Sequence, residues 1–256
     1  MPGPLDPESV AVARLFDLGS LGVVEETGPD GPEVVAYFDS ERELGLGGRW
    51  EDVGEVDYVA AYRAGLKPVR VGPLVIAPSH RRASLGAGEQ VVWLDPGTAF
   101  GTGHHETTRL ALEALAAHDL TGRSVLDVGA GSGILTIAAD RLGARLALGV
   151  DVDAEAVRVA RVNAVLNRSR ARFLVGSIDH VELPARVDVI VANLFAELHV
   201  ELMPAYRDRL NRGGRLLLTG ILARLEPIVL EALPEGWPRR TMRQGEWSLL
   251  AVGVPS

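Results

Sequence analysis

The stretch that decides the fold is VLDVGAGSG, residues 125–133, followed at residues 149–151 by GVD. The apolar run that ends in Asp127 predicts a buried strand, and the apolar residues 134–142 predict the helix after it. The three glycines between them lack Cβ atoms, so the chain can turn tightly and a ligand can approach the backbone closely. We therefore predict an α/β domain with a ligand site over a strand-to-helix turn.

A second predicted strand, over residues 146–150, delivers Asp151 to the same edge of the sheet. Asp151 comes 22 residues after Gly129, a separation typical of an acid that accepts hydrogen bonds from both hydroxyls of a ribose. The turn reads D-x-G-x-G-x-G, and Ile134 stands where a dinucleotide fingerprint requires a glycine. The pattern resembles the first motif of class I S-adenosylmethionine-dependent methyltransferases. The alternative is a purely structural glycine turn.

Length and composition are those of a globular protein, with 256 residues of which 47% are apolar and 23% charged. No apolar run approaches the roughly 18–20 residues that span a bilayer, and no signal peptide opens the chain. The absence of cysteine excludes disulfides and thiolate metal sites. A net charge of −8 argues against direct nucleic-acid binding and suits a basic protein partner, although solubility alone accounts for it equally well. We expect a cytoplasmic monomer that does not bind membranes.

The first fifty residues are interpreted as a separate small unit. Residues 9–18 carry a weak helical pattern, and residues 22–26 and 34–38 predict two strands. The turn residues GPDGP at 28–32 favour a β-hairpin between these strands. The predicted division of the chain is a small N-terminal domain over residues 1–50, a helical linker over 51–68 and a main domain over 69–256. Strands over residues 71–77 and 89–94 lead into the main domain.

A second informative stretch is DPGTAFGTGHHETT, residues 95–108, which feeds a helix. Thr107 or Thr108 can cap that helix, and the exposed N–H groups of a helix start favour an anion such as the carboxylate of methionine. His104, His105 and Glu106 are metal-ligand types, but adjacent side chains diverge, whereas H-E-x-x-H places both imidazoles on one helix face. We therefore expect no metal site, and a purely structural role for the threonines stays open.

The strand over residues 187–192 ends at Asn193, whose side-chain carbonyl can accept a hydrogen bond from a neutral amine. Gly129, Asp151 and Asn193 all fall at strand ends on one edge of the sheet, where ligands bind in open parallel sheets. An asparagine that only ends the strand and fixes a turn is the alternative.

The remaining chain alternates strands and helices, which predicts a doubly wound, mostly parallel α/β sheet of seven strands with a reversed terminal strand. Asp153 is the expected cap of the first of these helices. The predicted helices cover residues 154–166, 197–210 and 222–233, and the predicted strands cover 172–175, 215–221, 239–244 and 247–254.

With these pieces placed, the sequence resembles the ribosomal protein L11 methyltransferases. The resemblance rests on residues 95–108, with the specific pattern P-G-x-A-F-G-T-G, and on residues 125–135, 149–153 and 191–194. It covers the chain well from residue 51 onward and the first fifty residues loosely. It implies S-adenosylmethionine as the cofactor, on a Rossmann-like methyltransferase sheet. The implied cofactor contacts are Thr108, Gly129, Gly131, Asp151 and Asn193.

The resemblance also implies the substrate, namely lysine and N-terminal amino groups of ribosomal protein L11, recognised by an N-terminal ferredoxin-like domain. The opening residues Met1-Pro2-Gly3-Pro4 cannot supply the first strand of such a domain, so we expect it to be truncated or to start upstream.

Our hypothesis for catalysis is that Asn193 orients the amine while Phe100 and Phe195 desolvate it. A small-molecule N- or O-methyltransferase and a non-enzymatic, ribosome-associated cofactor-binding module are the alternatives. A nucleic-acid methyltransferase is disfavoured because Asn193 is followed by Leu-Phe-Ala rather than Pro-Pro-aromatic.

Overall fold

The computed structural model describes residues 22–28, 31–38, 50, 68–79, 85–94, 105–179 and 183–255. The chain divides into two compact units, Met1–Asp57 and Tyr58–Ser256. In the first unit, strands β1 (Gly22–Gly28) and β2 (Gly31–Tyr37) pair antiparallel, as the hairpin prediction requires. The helix predicted over residues 9–18 and the linker helix predicted over 51–68 lie outside the described residues.

The second unit contains a small sheet of three strands, β3 (Val69–Val71), β4 (Leu74–Pro78) and β5 (Gln90–Leu94). β3 pairs antiparallel with β4, and β4 pairs parallel with β5. The single strand predicted over residues 71–77 is wrong. Gly72, with a φ of +53°, turns the chain there so that two short strands fold back on each other.

A seven-stranded sheet forms the centre of this unit. Its strands are β6 (Ser124–Val128), β7 (Leu146–Asp151), β8 (Arg172–Val175), β9 (Val187–Asn193), β10 (Leu210–Leu222), β11 (Arg239–Gln244) and β12 (Trp247–Gly253). Their order in the sheet is β11-β12-β10-β9-β6-β7-β8, and neighbours are parallel except that β12 runs antiparallel to β10 and β11. This confirms the predicted sheet and its reversed last strand.

Helices cover both faces of the sheet, because successive residues of each buried strand point to opposite faces. The helices are α1 (Glu106–Ala116), α2 (Ile134–Arg141), α3 (Ala154–Leu166), α4 (Ala196–Arg209) and α5 (Glu226–Ala232). Val125 packs into the core under α1, α2 and α3, whereas Leu126 packs into the core under α4 and α5. None of the helices in the described part of the chain is long and apolar enough to span a membrane.

The start of β10 differs from the prediction. Leu210 pairs with Val187 and Arg215 pairs with Val189, so β10 advances five residues while β9 advances two. The glycine-rich residues 211–214 were expected to separate a helix from a strand, but they form an irregularity inside β10. Leu210 is buried, and this burial against the sheet explains why the strand begins before the glycines.

A buried asparagine joins β5 to α3. Asn167, which follows α3, accepts the Trp93 N–H through Oδ1 at 2.8 Å and donates from Nδ2 to the Trp93 carbonyl at 2.6 Å. The side chain thereby pairs with β5 as a neighbouring strand would. Residues 95–108 follow β5 directly, so this contact fixes the end of the strand from which that stretch continues.

The central strand β6 carries a wholly buried carboxylate, Asp127. Thr136 donates to its Oδ2 at 2.7 Å, but Oδ1 has no hydrogen-bond partner among the described residues. Burial raises the pKa of Asp127 to about 7, because the hydrogen bond from Thr136 offsets only part of the desolvation of the charged form.

Replacing Asn167 with alanine should lower the free energy of unfolding by about 2–4 kcal/mol, because both backbone groups of Trp93 lose their partner. Urea denaturation measures the change. Arg158→Ala on the same helix removes only an exposed ion pair with Glu155 and should change stability by less than about 1 kcal/mol. Equal effects of the two substitutions would contradict the role of Asn167.

Asp127 should make the folded state less stable as the pH rises from 4 to 7. The folded pKa of Asp127 lies above the unfolded value, so its contribution to stability is fully present at low pH and is lost as pH rises toward 7. Relative to the wild type, Asp127→Asn should gain about 3 kcal/mol between pH 4 and pH 7. Denaturation at a series of pH values tests this, with the exposed Asp119→Asn as the variant expected to show no such gain over this range.

Candidate cofactor site

The turn between β6 and α2 adopts a backbone conformation that favours glycine. The φ angles of Gly129, Gly131 and Gly133 are 76°, 51° and 80°. A Cβ atom on Gly129 would lie 2.6 Å from Cδ2 of Leu194, and one on Gly133 would lie 2.7 Å from Cζ of Phe173. Glycine is therefore required both by conformation and by the close approach of neighbouring side chains.

The same turn is attached to β7 by its backbone. The N–H groups of Gly129 and Ala130 donate to the Val150 carbonyl at 2.9 and 3.0 Å. Gly129 therefore lies beside Val150, which precedes Asp151, and beside Leu194, which follows Asn193. The structure brings Gly129, Asp151 and Asn193 to one edge of the sheet.

The carboxylate of Asp151 is held in place by two backbone donors. Its Oδ2 accepts the Gly131 N–H at 2.9 Å and its Oδ1 accepts the Asp153 N–H at 3.0 Å. A carboxylate offers about four lone-pair positions, so each oxygen of Asp151 keeps capacity for another donor. The side chain is only partly buried, and a ribose could donate both hydroxyls to it.

Asn193 ends β9 opposite Thr219 of β10. Within the part of the chain that the structure describes, its side-chain amide makes no hydrogen bond, and it is partly exposed. Gly220 has a φ of +82°, and a Cβ atom there would lie 2.9 Å from the Asn193 Oδ1. The missing side chain of Gly220 thus allows β10 to approach Asn193 closely. Phe195 follows two residues later with 69% of its surface exposed.

The start of α1 differs from the prediction. His105 caps the helix, because its Nδ1 accepts the Thr107 N–H at 3.3 Å and lies 2.8 Å from the Thr107 Oγ1. Thr107 and Thr108 both lie inside the helix and are buried, so a threonine cap is wrong. The rest of the loop, including Phe100 and His104, lies outside the described residues. Among the residues that the structure does describe, no group of three or more acidic, cysteine or histidine side chains could hold a metal.

Two buried polar atoms at the predicted site lack a partner in the described structure, Thr108 Oγ1 and Asp127 Oδ1. Buried polar atoms are rarely left without a hydrogen bond, since each one costs free energy. Together with the open backbone at Gly129 and the acceptor capacity of Asp151, these atoms fit a ligand that has ribose hydroxyls and further polar groups. The residues present are therefore compatible with S-adenosylmethionine.

Sequence reasoning missed a buried histidine behind Asn193. His199 on α4 lies with its Nε2 at 2.8 Å from the Thr219 carbonyl and its Nδ1 at 3.4 Å from the Tyr206 hydroxyl. Burial lowers the pKa of His199 to about 4, against the opposite effect of the Thr219 and Leu194 carbonyls. The spacing of His199, Met203 and Tyr206 at i, i+4 and i+7 indicates a shared helix face. This spacing is the feature of the sequence from which burial of His199 could have been predicted.

Comparisons with known proteins agree with this geometry. The family model described as ribosomal protein L11 methyltransferase (PrmA) matches residues 33–253. The chain is 46% identical over 254 residues to the ribosomal protein L11 methyltransferase of Thermus thermophilus, covering 98% of this chain and 97% of that one. It is 40% identical over 268 residues to the enzyme of the same name from Deinococcus radiodurans, with the same coverage of 98% and 97%.

Solved structures of methyltransferases resemble this fold. The crystal structure of ribosomal protein L11 methylase from Lactobacillus delbrueckii subsp. bulgaricus has a TM-score of 0.69 and 32% identity, and it covers 75% of this chain and all of that one. The 16S rRNA methyltransferase RsmC of T. thermophilus, solved with AdoMet and guanosine, has a TM-score of 0.52 and 26% identity over 61% of this chain and 45% of that one. The chain therefore belongs to the ribosomal protein L11 methyltransferase family.

Proposed function

We propose that this protein transfers methyl groups from S-adenosylmethionine to amino groups of ribosomal protein L11, at lysine side chains and at the N-terminus. The observation that carries the proposal is the Asp151 carboxylate, fixed by the Gly131 and Asp153 N–H groups beside an open glycine turn. Membership of the family supports both the transfer reaction and the protein substrate. It does not favour a small-molecule methyltransferase or a non-enzymatic module.

Different parts of the edge would hold different parts of the cofactor. Asp151 accepts the ribose hydroxyls, while the backbone of Gly129 and Gly131 lets the nucleoside lie close. Thr108 and Asp127 supply polar atoms that have no partner among the described residues, and these suit the amino-acid end of the molecule. Asn193 faces the end at which the methyl group is transferred.

Bound S-adenosylmethionine supplies a methyl group on a sulfonium sulfur, which is already a strong electrophile. The work left to the protein is to present a neutral amine in line with the methyl–sulfur bond. A lysine has an unperturbed pKa of roughly 10.4 and must lose a proton before it has a lone pair. Asn193 has no basic group, so its role is to accept an N–H of the amine and orient it. Phe195 and Phe100 disfavour the charged amine by excluding water.

Substrate recognition is assigned to the N-terminal domain over residues 1–50, joined to the main domain by the linker over 51–68. The net charge of −8 supports docking of a basic protein. Because the substrate is a ribosomal protein, the reaction belongs in the cytoplasm, and we expect the protein to act as a monomer without direct contact with nucleic acid.

Asp151→Ala should weaken binding of S-adenosylhomocysteine about 10- to 100-fold, because a charged acceptor for the ribose is lost and the Gly131 N–H loses its partner. Isothermal titration calorimetry measures the affinity. Asp153→Ala is the matched control, since it removes the cap that accepts the Glu155 N–H at 2.8 Å but keeps the backbone donor to Asp151. This control should lower thermal stability and leave affinity within about threefold, the range of a weak indirect effect. Unchanged affinity in Asp151→Ala would refute the ribose assignment.

Asn193→Ala should slow methyl transfer to ribosomal protein L11 about 100-fold, because a poorly oriented amine rarely meets the methyl group in line. The loss of S-adenosylhomocysteine affinity should be much smaller than the loss of rate. Single-turnover transfer of tritiated methyl, with cofactor affinity measured in parallel, separates the two. Asn211→Ala, which removes an amide bonded to Asp188 where β9 begins, should transfer at the wild-type rate. A full rate in Asn193→Ala with normal cofactor binding would exclude the proposed role.

A further inference from the structure

A buried histidine lies directly behind the Asn193-Leu194 turn and takes no part in the chemistry proposed above. His199 is fully buried in the first turns of α4. Its Nε2 lies 2.8 Å from the Thr219 carbonyl oxygen. Since a carbonyl can only accept, the ring must donate its Nε2 proton to Thr219. This fixes the tautomer and leaves Nδ1 as an acceptor facing the Tyr206 hydroxyl at 3.4 Å.

The Thr219 carbonyl is a junction between His199 and the candidate site. It accepts the Leu194 N–H at 3.0 Å in addition to the His199 ring. The Thr219 hydroxyl lies 3.4 Å from the Thr107 carbonyl and 3.2 Å from the Ser248 carbonyl. One buried residue of β10 therefore contacts the turn that carries Asn193, the first turn of α1 and strand β12.

The β10 backbone is irregular at this junction and needs support from outside the ladder. Between Leu218 and Ile221, β10 advances three residues while β12 advances two, which is the pattern of a bulge. Gly220, inside the bulge, packs against the Asn193 amide and the Leu194 carbonyl. A small movement of the bulge would therefore be passed directly to Asn193. The His199 ring donates to the bulge from the α4 side of the sheet.

We propose that His199 is a positioning residue for methyl transfer: its Nε2–H fixes the Thr219 carbonyl, which holds the Leu194 N–H and thereby the adjacent Asn193 amide. The inference rests on the proposed function, because His199 affects methyl transfer only through the role proposed for Asn193. Burial keeps the pKa of His199 near 4, so the ring is neutral and has this donor and acceptor pattern at neutral pH.

The test compares three variants of the full chain. His199→Leu fills the buried space with an apolar side chain and removes the donor, whereas His199→Gln keeps an N–H donor. Met203→Leu is a packing control on the same buried face of α4. Three quantities are measured: kcat for transfer to ribosomal protein L11, the Kd of S-adenosylhomocysteine, and the amide hydrogen exchange of Leu194 without ligand.

His199→Leu should lower kcat about 10- to 100-fold, as expected of a displaced orienting group, with Kd within about threefold of the wild type. The Leu194 amide should exchange at least about tenfold faster in this variant, because its acceptor is no longer fixed, while the Gly131 amide, held by Asp151, should not change. His199→Gln should recover most of kcat and of the Leu194 protection. Met203→Leu should leave both near wild-type values.

The proposal is overturned if His199→Leu keeps the wild-type kcat and Leu194 exchange, or if Met203→Leu lowers kcat as much as His199→Leu does. Should His199→Leu fail to fold, His199→Met takes its place, since methionine adapts to irregular buried space and also lacks the donor. A wild-type enzyme that does not methylate ribosomal protein L11 would refute the proposed function. The exchange of Leu194 would still decide whether His199 positions the turn.

Discussion

The site depends on the absence of side chains at Gly129 and Gly133. Leu194 packs where a Cβ atom of Gly129 would lie, and Phe173 packs where one of Gly133 would lie. The turn after β6 is therefore in contact with residues that follow or belong to β9 and β8 on either side. Any side chain at these positions would move the turn away from its neighbours, and the distance between Asp151 and Asn193 would change with it. Gly129 and Gly133 thus set the spacing of the candidate site.

The parts of the fold that the sequence predicts are those set by local pattern. The buried strands β6 and β9 are mostly apolar, each with one aspartate, and Asp153 caps α3 as its position before an apolar helix suggests. The convergence of Gly129 and Asp151 was predictable because parallel strands end at one edge of the sheet. The cap of α1 could not be predicted, because threonine is a better helix cap than histidine and two threonines follow His105. Only the backbone conformation decides at which residue the helix begins.

Polar contacts between distant residues could not be predicted. Asn167 pairs with Trp93 across 74 positions of the sequence, and His199 pairs with Thr219 across 20. The Asn167 side chain bonds backbone groups of the edge strand β5, and the His199 ring is a second donor to a carbonyl that already accepts the Leu194 N–H. The hydrogen-bond partner of such a side chain can be identified only when the packing shows which backbone groups are buried nearby. Nothing in the local sequence around Asn167 or His199 indicates Trp93 or Thr219 as that partner.

Asp127 and His199, two buried ionisable groups around the site, act in opposite directions on stability. The pKa of Asp127 is raised to about 7, so its stabilising effect falls as pH rises from 4 to 7. The pKa of His199 is lowered to about 4, so the unfolded chain binds the extra proton between pH 4 and 6.5 and stability rises with pH there. The neutral form of His199 also suits the proposed reaction, because a protonated ring would put a positive charge behind the Asn193 amide, which is proposed to hold an amine next to a sulfonium. In the proposed mechanism, burial of His199 therefore serves both the geometry and the electrostatics of methyl transfer.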